Sequence, residues 1–152
     1  MKKILFILSF ILLGVTSCYS QLNVTGQIEK PAEEIGTIRM MSIYLKYTEN
    51  LGYFFTMTTD NQFDDVMIFR LGEDAESAIL TVKDMISLID NHVASTDVKQ
   101  GTTTTTLMNL SKGIGKNYLY LKQSGYAGTN AISKKELEKI IKKIKEHANI
   151  SE

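Results

Sequence analysis

The chain has 152 residues, 43% hydrophobic and 22% charged, which suits one domain with its own core. Basic and acidic residues balance to a formal net charge of +0, so composition calls for no polyanionic partner such as duplex nucleic acid. A single cysteine excludes a disulfide framework within the chain and a cysteine-rich metal site.

Lys2 and Lys3 open the chain, and Ile4 to Val15 follows as an apolar run broken only by Ser9 and Gly14. The run is too short to span a bilayer comfortably and small residues come after it, which is the layout of an export signal. Two processing sites fit. Val15-Thr16-Ser17-Cys18 resembles a bacterial lipobox, with Val where Leu is usual, and makes Cys18 a lipidation candidate. Cys18-Tyr19-Ser20 ahead of Gln21 fits ordinary signal peptidase. The leader is therefore residues 1–20, or 1–17 in a lipoprotein. The expected location is periplasmic, secreted or lipid-anchored in a bacterial envelope. The expected membrane attachment is a lipid at Cys18 and nothing else. Losing the leader removes Lys2 and Lys3 but no acid, and leaves a slightly acidic body.

Residues 21–36 are polar, with Pro31 and Glu33-Glu34, and read as a tether or N-terminal arm. A single α+β domain is expected over residues 37–150. Ile38 to Tyr47 alternates as a strand, with Met41, Ile43, Leu45 and Tyr47 on one side and Tyr44 and Lys46 on the other. Thr48 to Gly52 is a turn, and Tyr53 to Thr59 is the second arm of a hairpin. A polar loop, Asp60 to Asp65, leads to a third strand, Val66 to Leu71. Asp74 to Val93 reads as a helix. Ala78, Val82, Met85, Ile86, Ile89 and Val93 form its apolar stripe, and Asp74 is its N-cap.

Ala94 to Gly101 reads as a polar connection. The five threonines Thr102 to Thr106 lead into Leu107, Met108 and Leu110, and β-branched side chains favour an extended chain. Tyr118 to Ser124 is another strand, and Gly125 to Ile132 holds room for a short one. The last helix opens with a Ser133–Glu136 capping box and an Ile132–Leu137 staple. Leu137, Ile140, Ile141, Ile144 and Ala148 are its apolar stripe, opposite a face of lysines from Lys134 to Lys145. Strand, strand, strand, helix thus occurs twice, as in an architectural duplication. The simplest assembly is an antiparallel sheet with both helices packed on one face. The layout loosely resembles small sheet-and-helix folds that bind single-stranded nucleic acid, an analogy of fold that does not fix function.

Searches for chemistry find no recognisable constellation. His92 and His147 lie near helix ends, where imidazoles meet free carbonyls more often than metals. Gly113-Ile114-Gly115-Lys116 lacks the spacing and following Ser/Thr of a phosphate loop and leads into a strand. Asp60, Asn61, Asp64 and Asp65 lack calcium-loop spacing. No catalytic residue, metal or cofactor is expected. An enzyme remains the alternative if Asp64, Asp65, Glu73 or His92 converge in space.

The sharpest expectation concerns the sheet. Alternation places Tyr44, Phe54, Tyr118 and Tyr120, with Lys46, Arg70 and Lys122, on the face away from the helices. Aromatic faces and cations suit a protein, peptide or glycan, or a second copy of the chain as a homodimer. The expected function is that of an exported, non-catalytic binding or structural module using this face. A polyanion-binding or nucleic-acid-binding module is the alternative, and export argues against an intracellular nucleic-acid role.

Overall fold

The computed structural model of the chain describes residues 31–39, 42–58, 66–111, 117–126 and 130–150. Cys18, Asp60 to Asp65 and Gly113 to Lys116 lie outside the described residues. The first half runs β1 (Glu33–Arg39), β2 (Ile43–Thr48), β3 (Gly52–Met57) and β4 (Met67–Gly72), then α1 (Ala75–Asp90). The second half repeats the order as β5 (Ser95–Gln100), β6 (Thr103–Ser111), β7 (Asn117–Gln123) and β8 (Asn130–Ser133), then α2 (Lys134–His147). The class is α+β.

One expectation is corrected. The strands form two antiparallel sheets, β1-β2-β3-β4 and β5-β6-β7-β8, rather than one. The repeat also has four strands per helix instead of three. β1 occupies the end of the expected N-terminal arm, and β5 occupies the expected polar connection. β5 reads Ser-Thr-Asp-Val-Lys-Gln and carries one apolar residue, so its own pattern is too weak to announce a strand. It is extended because it pairs with β6, Val98 against Thr105 and Thr96 against Leu107.

Both sheets and both helices feed one buried cluster. The first sheet contributes Ile43, Leu45, Tyr53, Phe55, Met57, Met67, Phe69 and Leu71, the second Leu107, Leu119, Leu121 and Ile132. α1 adds Ala78, Val82, Met85 and Ile89, and α2 adds Leu137, Ile140 and Ile144. The helices pack on each other, α1 also lying against β4 and β7, and α2 against β1 and β8. The helical stripes read from the sequence are those that are buried, except that Ile86 and Ile141 are half-buried, Val93 lies beyond the end of α1 and Ala148 is the C-cap of α2. Fully burying each large apolar side chain is worth about 1.5–3 kcal/mol, far more than helix propensity alone.

Both helix starts match their sequence signals. Asp74 accepts from the Ser77 amide at 2.8 Å, and Ser77 completes a capping box. Ser133 and Glu136 form the second box. Gly52 turns the β2–β3 hairpin at φ +68°, and a Cβ there would collide with the Gly72 carbonyl, so glycine is required twice over. No helix of the described residues is long and apolar enough to cross a membrane.

The two sheets meet through side-chain amides. Gln100 accepts from the Arg70 backbone N–H at 2.9 Å and donates to the Arg70 carbonyl at 2.7 Å. Gln123 donates to the Ile68 carbonyl at 2.9 Å and to Thr105 Oγ1 at 3.2 Å. Asn130 donates to the Thr58 carbonyl, and Asn109 to the Leu88 and Ile89 carbonyls at the end of α1. Edge-strand and helix-end groups are thereby satisfied without a further strand.

Candidate functional site

The seven residues expected on one face form two groups. On the outer face of the first sheet, Lys46 pairs with Phe54 and Phe54 with Arg70, while Tyr44 pairs with Thr56 one row away. The Lys46 ammonium sits 6.0 Å from the centre of the Tyr44 ring, at the limit of a cation–π contact. Phe54 in the middle of this row is only 3% exposed and Arg70 faces Glu73 at 3.7 Å, so the group offers little open aromatic surface. On the outer face of the second sheet, Tyr118 and Tyr120 stand edge-to-face with centroids 6.5 Å apart, and Lys122 is exposed. Tyr120 is flanked by Met108 and Ala131, and Tyr118 by Leu110. Burial alternates within β2 and β7, whereas β3 is buried throughout and the single strand expected over Ile38 to Tyr47 is divided between β1 and β2. The sheet boundary between β4 and β5 is what separates the groups.

A groove lies elsewhere, between α1 and the edge of the second sheet. It is a cleft of about 490 Å³ lined by Phe69 of β4, Thr81, Asp84, Met85, Ser87 and Leu88 of α1, Thr96 and Val98 of β5, and Leu107 of β6. That volume falls within the about 300–1,000 Å³ of small-ligand sites. Its geometry follows from helical spacing. Met85 belongs to the core stripe, and Thr81, Asp84 and Leu88 lie one step round the helix, at i, i+3 and i+7. The base is apolar, from Phe69, Met85, Leu88, Val98 and Leu107. The hydroxyls of Thr81, Ser87 and Thr96 and the carboxylate of Asp84 supply a polar rim. No ion pair involves Asp84 among the described residues. The one sequence signal was Leu88, which falls off the apolar stripe of its helix; β5, the opposite wall, carried none.

A third cluster joins titratable groups. The Tyr53 hydroxyl lies 2.8 Å from His147 Nδ1, and His147 Nε2 lies 3.4 Å from a Glu33 carboxylate oxygen. The Tyr47 ring packs on both, with centroids 4.9 Å from Tyr53 and 5.0 Å from His147. Burial, together with the charges of Tyr47, Glu33 and Asp74, pushes the Tyr53 phenol above its ordinary range. Carboxylate, imidazole and hydroxyl stand in the order of a proton relay. Tyr53 is only 3% exposed, however, and its hydroxyl meets the imidazole rather than solvent. The cluster ties the end of α2 to the first sheet. Sequence reading missed it because its members are separated by up to 114 positions.

Of the residues named for an acid–base site, Asp64 and Asp65 lie outside the described residues, and Glu73 and His92 stand apart. Glu73 precedes α1 and His92 follows it, so they sit at opposite ends of a 16-residue helix about 24 Å long. His92 lies near Asn117 at 3.5 Å. Among the described residues, no three His, Cys, Asp or Glu side chains are grouped to hold a metal ion. No protein-family model matches this chain, and neither a curated protein nor a solved structure does.

Proposed function

We propose that the chain is an exported, non-catalytic binding module of a bacterial envelope, and that its binding site is the groove between α1 and β5. The observation that carries this reading is the groove itself: an apolar base of core side chains, a rim of three hydroxyls and one carboxylate without an ion pair among the described residues, and an opening at the edge strand of a sheet. Sites of this composition bury apolar ligand surface at the base and fix orientation at the rim. Export rests on Lys2, Lys3 and the apolar run after them, with Cys18 as the lipid-anchor residue or Ser20 as the last residue of the leader.

The lysine face of α2 gives weaker support to a polyanion partner. Lys134 is engaged by Asp90 at 2.8 Å, Lys142 faces Glu146 at 3.7 Å, and the Lys143 side chain lies over Gly36. The outer-face tyrosines Tyr118 and Tyr120 remain the second candidate surface, because Leu110 beside them is 49% exposed.

Titration with the fluorescent apolar probe anilinonaphthalene sulfonate separates the two surfaces. Ser87→Trp fills the mouth of the groove from an exposed position and should abolish probe binding. Tyr120→Ala should leave it unchanged. Loss of binding in Tyr120→Ala with full binding in Ser87→Trp would move the site to the outer face.

A further inference from the structure

The four sheet edges are treated unequally. β1 has register shifts between Glu34 and Gly36 and between Thr37 and Arg39, and it lies against α2. The edge of β4 is covered by the amides of Gln100 and Gln123. β8 has four residues and runs straight into α2. Bulges, side-chain covers and short length are the usual protections against edge-to-edge pairing. β5 has none of them. It runs six residues in unbroken register with β6, contains no proline, and pairs with nothing on its outer side among the described residues.

Which backbone groups are free follows from one hydrogen bond. The Asn109 amide donates to the Ala94 carbonyl at 3.0 Å, so Ala94 points its backbone toward β6. Alternation along an antiparallel ladder then turns Thr96, Val98 and Gln100 the same way. The N–H and C=O groups of Ser95, Asp97 and Lys99 therefore point to the open edge. Their side chains, Asp97 and Lys99 included, lie on the exposed outer face, while Thr96, Val98 and Gln100 are half-buried on the groove side. Charged side chains on an edge strand, lysine above all, also discourage pairing, so Asp97 and Lys99 restrict β5 to a register that sets opposite charges across from each other.

We propose that β5 pairs antiparallel with β5 of a second copy of this chain, with Val98 on the two-fold axis. A two-fold interface is self-complementary, so each register is fixed by the residue at its centre. With Val98 at the centre, Asp97 stands opposite Lys99 of the second copy, and Lys99 opposite its Asp97. These are the residues whose backbone groups are free, so the opposite charges coincide with reciprocal main-chain hydrogen bonds. With Asp97 at the centre, two aspartates would face each other. Charge complementarity selects the first register. Asp97 already accepts from the Thr106 hydroxyl at 2.8 Å through one carboxylate oxygen, and its other oxygen is left for the lysine. The pairing stands apart from the reading of the groove as a binding site, but it bears on that site. Thr96 and Val98 form one wall of the groove, so the joined edges would bring two grooves together, walled on either side by an α1 helix.

The test is sedimentation velocity on the chain as processed by the expressing bacterium, in a Cys18→Ser background so that no lipid or native thiol intervenes. A concentration-dependent dimer is expected. Asp97→Lys should weaken self-association roughly tenfold or more, and the exchange Asp97→Lys with Lys99→Asp should restore it. Val98→Cys should give a disulfide-linked dimer on mild oxidation, because residues facing across the axis in a non-hydrogen-bonded pair lie close together. A monomer at high micromolar concentration overturns the proposal. So does a dimer that neither responds to Asp97→Lys nor cross-links through Val98→Cys. Asp97 lies outside the groove, so probe binding by Asp97→Lys reports the groove separately and tells failure of the pairing from failure of the binding site.

Discussion

The two halves of this molecule share one order of elements and put it to different uses. The inner face of the first sheet is continuous hydrocarbon and aromatic ring: Ile43, Leu45, Phe55, Met57, Met67 and Phe69 are each at most 1% exposed. The inner face of the second sheet mixes Leu107, Leu119, Leu121 and Ile132 with buried Thr105, Gln123 and Asn130. The difference lies in what each face meets. The first meets helices, whose stripes are apolar. The second meets helices and also a strand edge and a helix end, whose carbonyls need donors. A repeated architecture can therefore give a packing layer in one half and a joining layer in the other.

The comparison can be broken most forcefully in the first half. Phe55 is fully buried and stacked on Phe69 with centroids 6.4 Å apart. Phe55→Ala should cost about 3–5 kcal/mol, and Leu107→Ala in the second sheet should cost less, toward the lower end of about 2–5 kcal/mol. Urea unfolding of both variants checks the order, and equal losses would mean that the second sheet is as apolar a partner as the first.

The joining role of the second sheet is sharpened by Gln123→Leu. The substitution keeps the bulk but strips the donor from the Ile68 carbonyl and from Thr105 Oγ1. A loss of about 1–3 kcal/mol is expected, the cost of leaving buried acceptors unpaired. No loss would mean that the amides merely fill space.

A smaller effect is expected where α2 is tied back to the first sheet. Tyr53→Phe removes the hydroxyl bound to His147 and should cost about 0.5–1.5 kcal/mol. Tyr53 also carries a pH signature. Its folded pKa is raised, so its contribution is complete below the ordinary phenol value and is lost as pH rises through the folded one. The alkaline fall in stability should be shallower in Tyr53→Phe, as read by thermal unfolding across the alkaline range.

The smallest effect is at the start of α1. The Ser77 backbone and side-chain hydrogen bonds hold the Asp74 carboxyl below its ordinary range. A depressed carboxylate contributes above its unfolded pKa and loses that contribution as pH falls through the folded one. Asp74→Asn keeps a capping oxygen but cannot titrate, so it should flatten that part of the acid limb while leaving the neutral-pH midpoint nearly unchanged.

Legibility followed the strength of the local signal. The start of helix α2 could be read to the residue, because the Ser133–Glu136 box and the apolar stripe from Leu137 onward pointed the same way. β2 and β7 were legible through period-two alternation. β1 and β5 were not, because edge strands bury little and their composition stays polar. The groove needed β5, so it was hidden along with it. The aromatic residues of the outer faces were found individually, but their grouping depended on a sheet boundary that alternation cannot mark.

What the chain determined by itself was local: the caps, the turn at Gly52, the direction of each side chain along a strand, and the apolar stripes that required a partner. Those depend on contacts a few residues apart, whose energetics are written in neighbouring positions. What the tertiary structure decided was which edges meet. β4 ends against the amides of Gln100 and Gln123, α1 stands off β5 to leave a groove, and β5 stays open among the described residues. Each of these joins residues distant in sequence through hydrogen bonds and packing that exist only once the two sheets are in place.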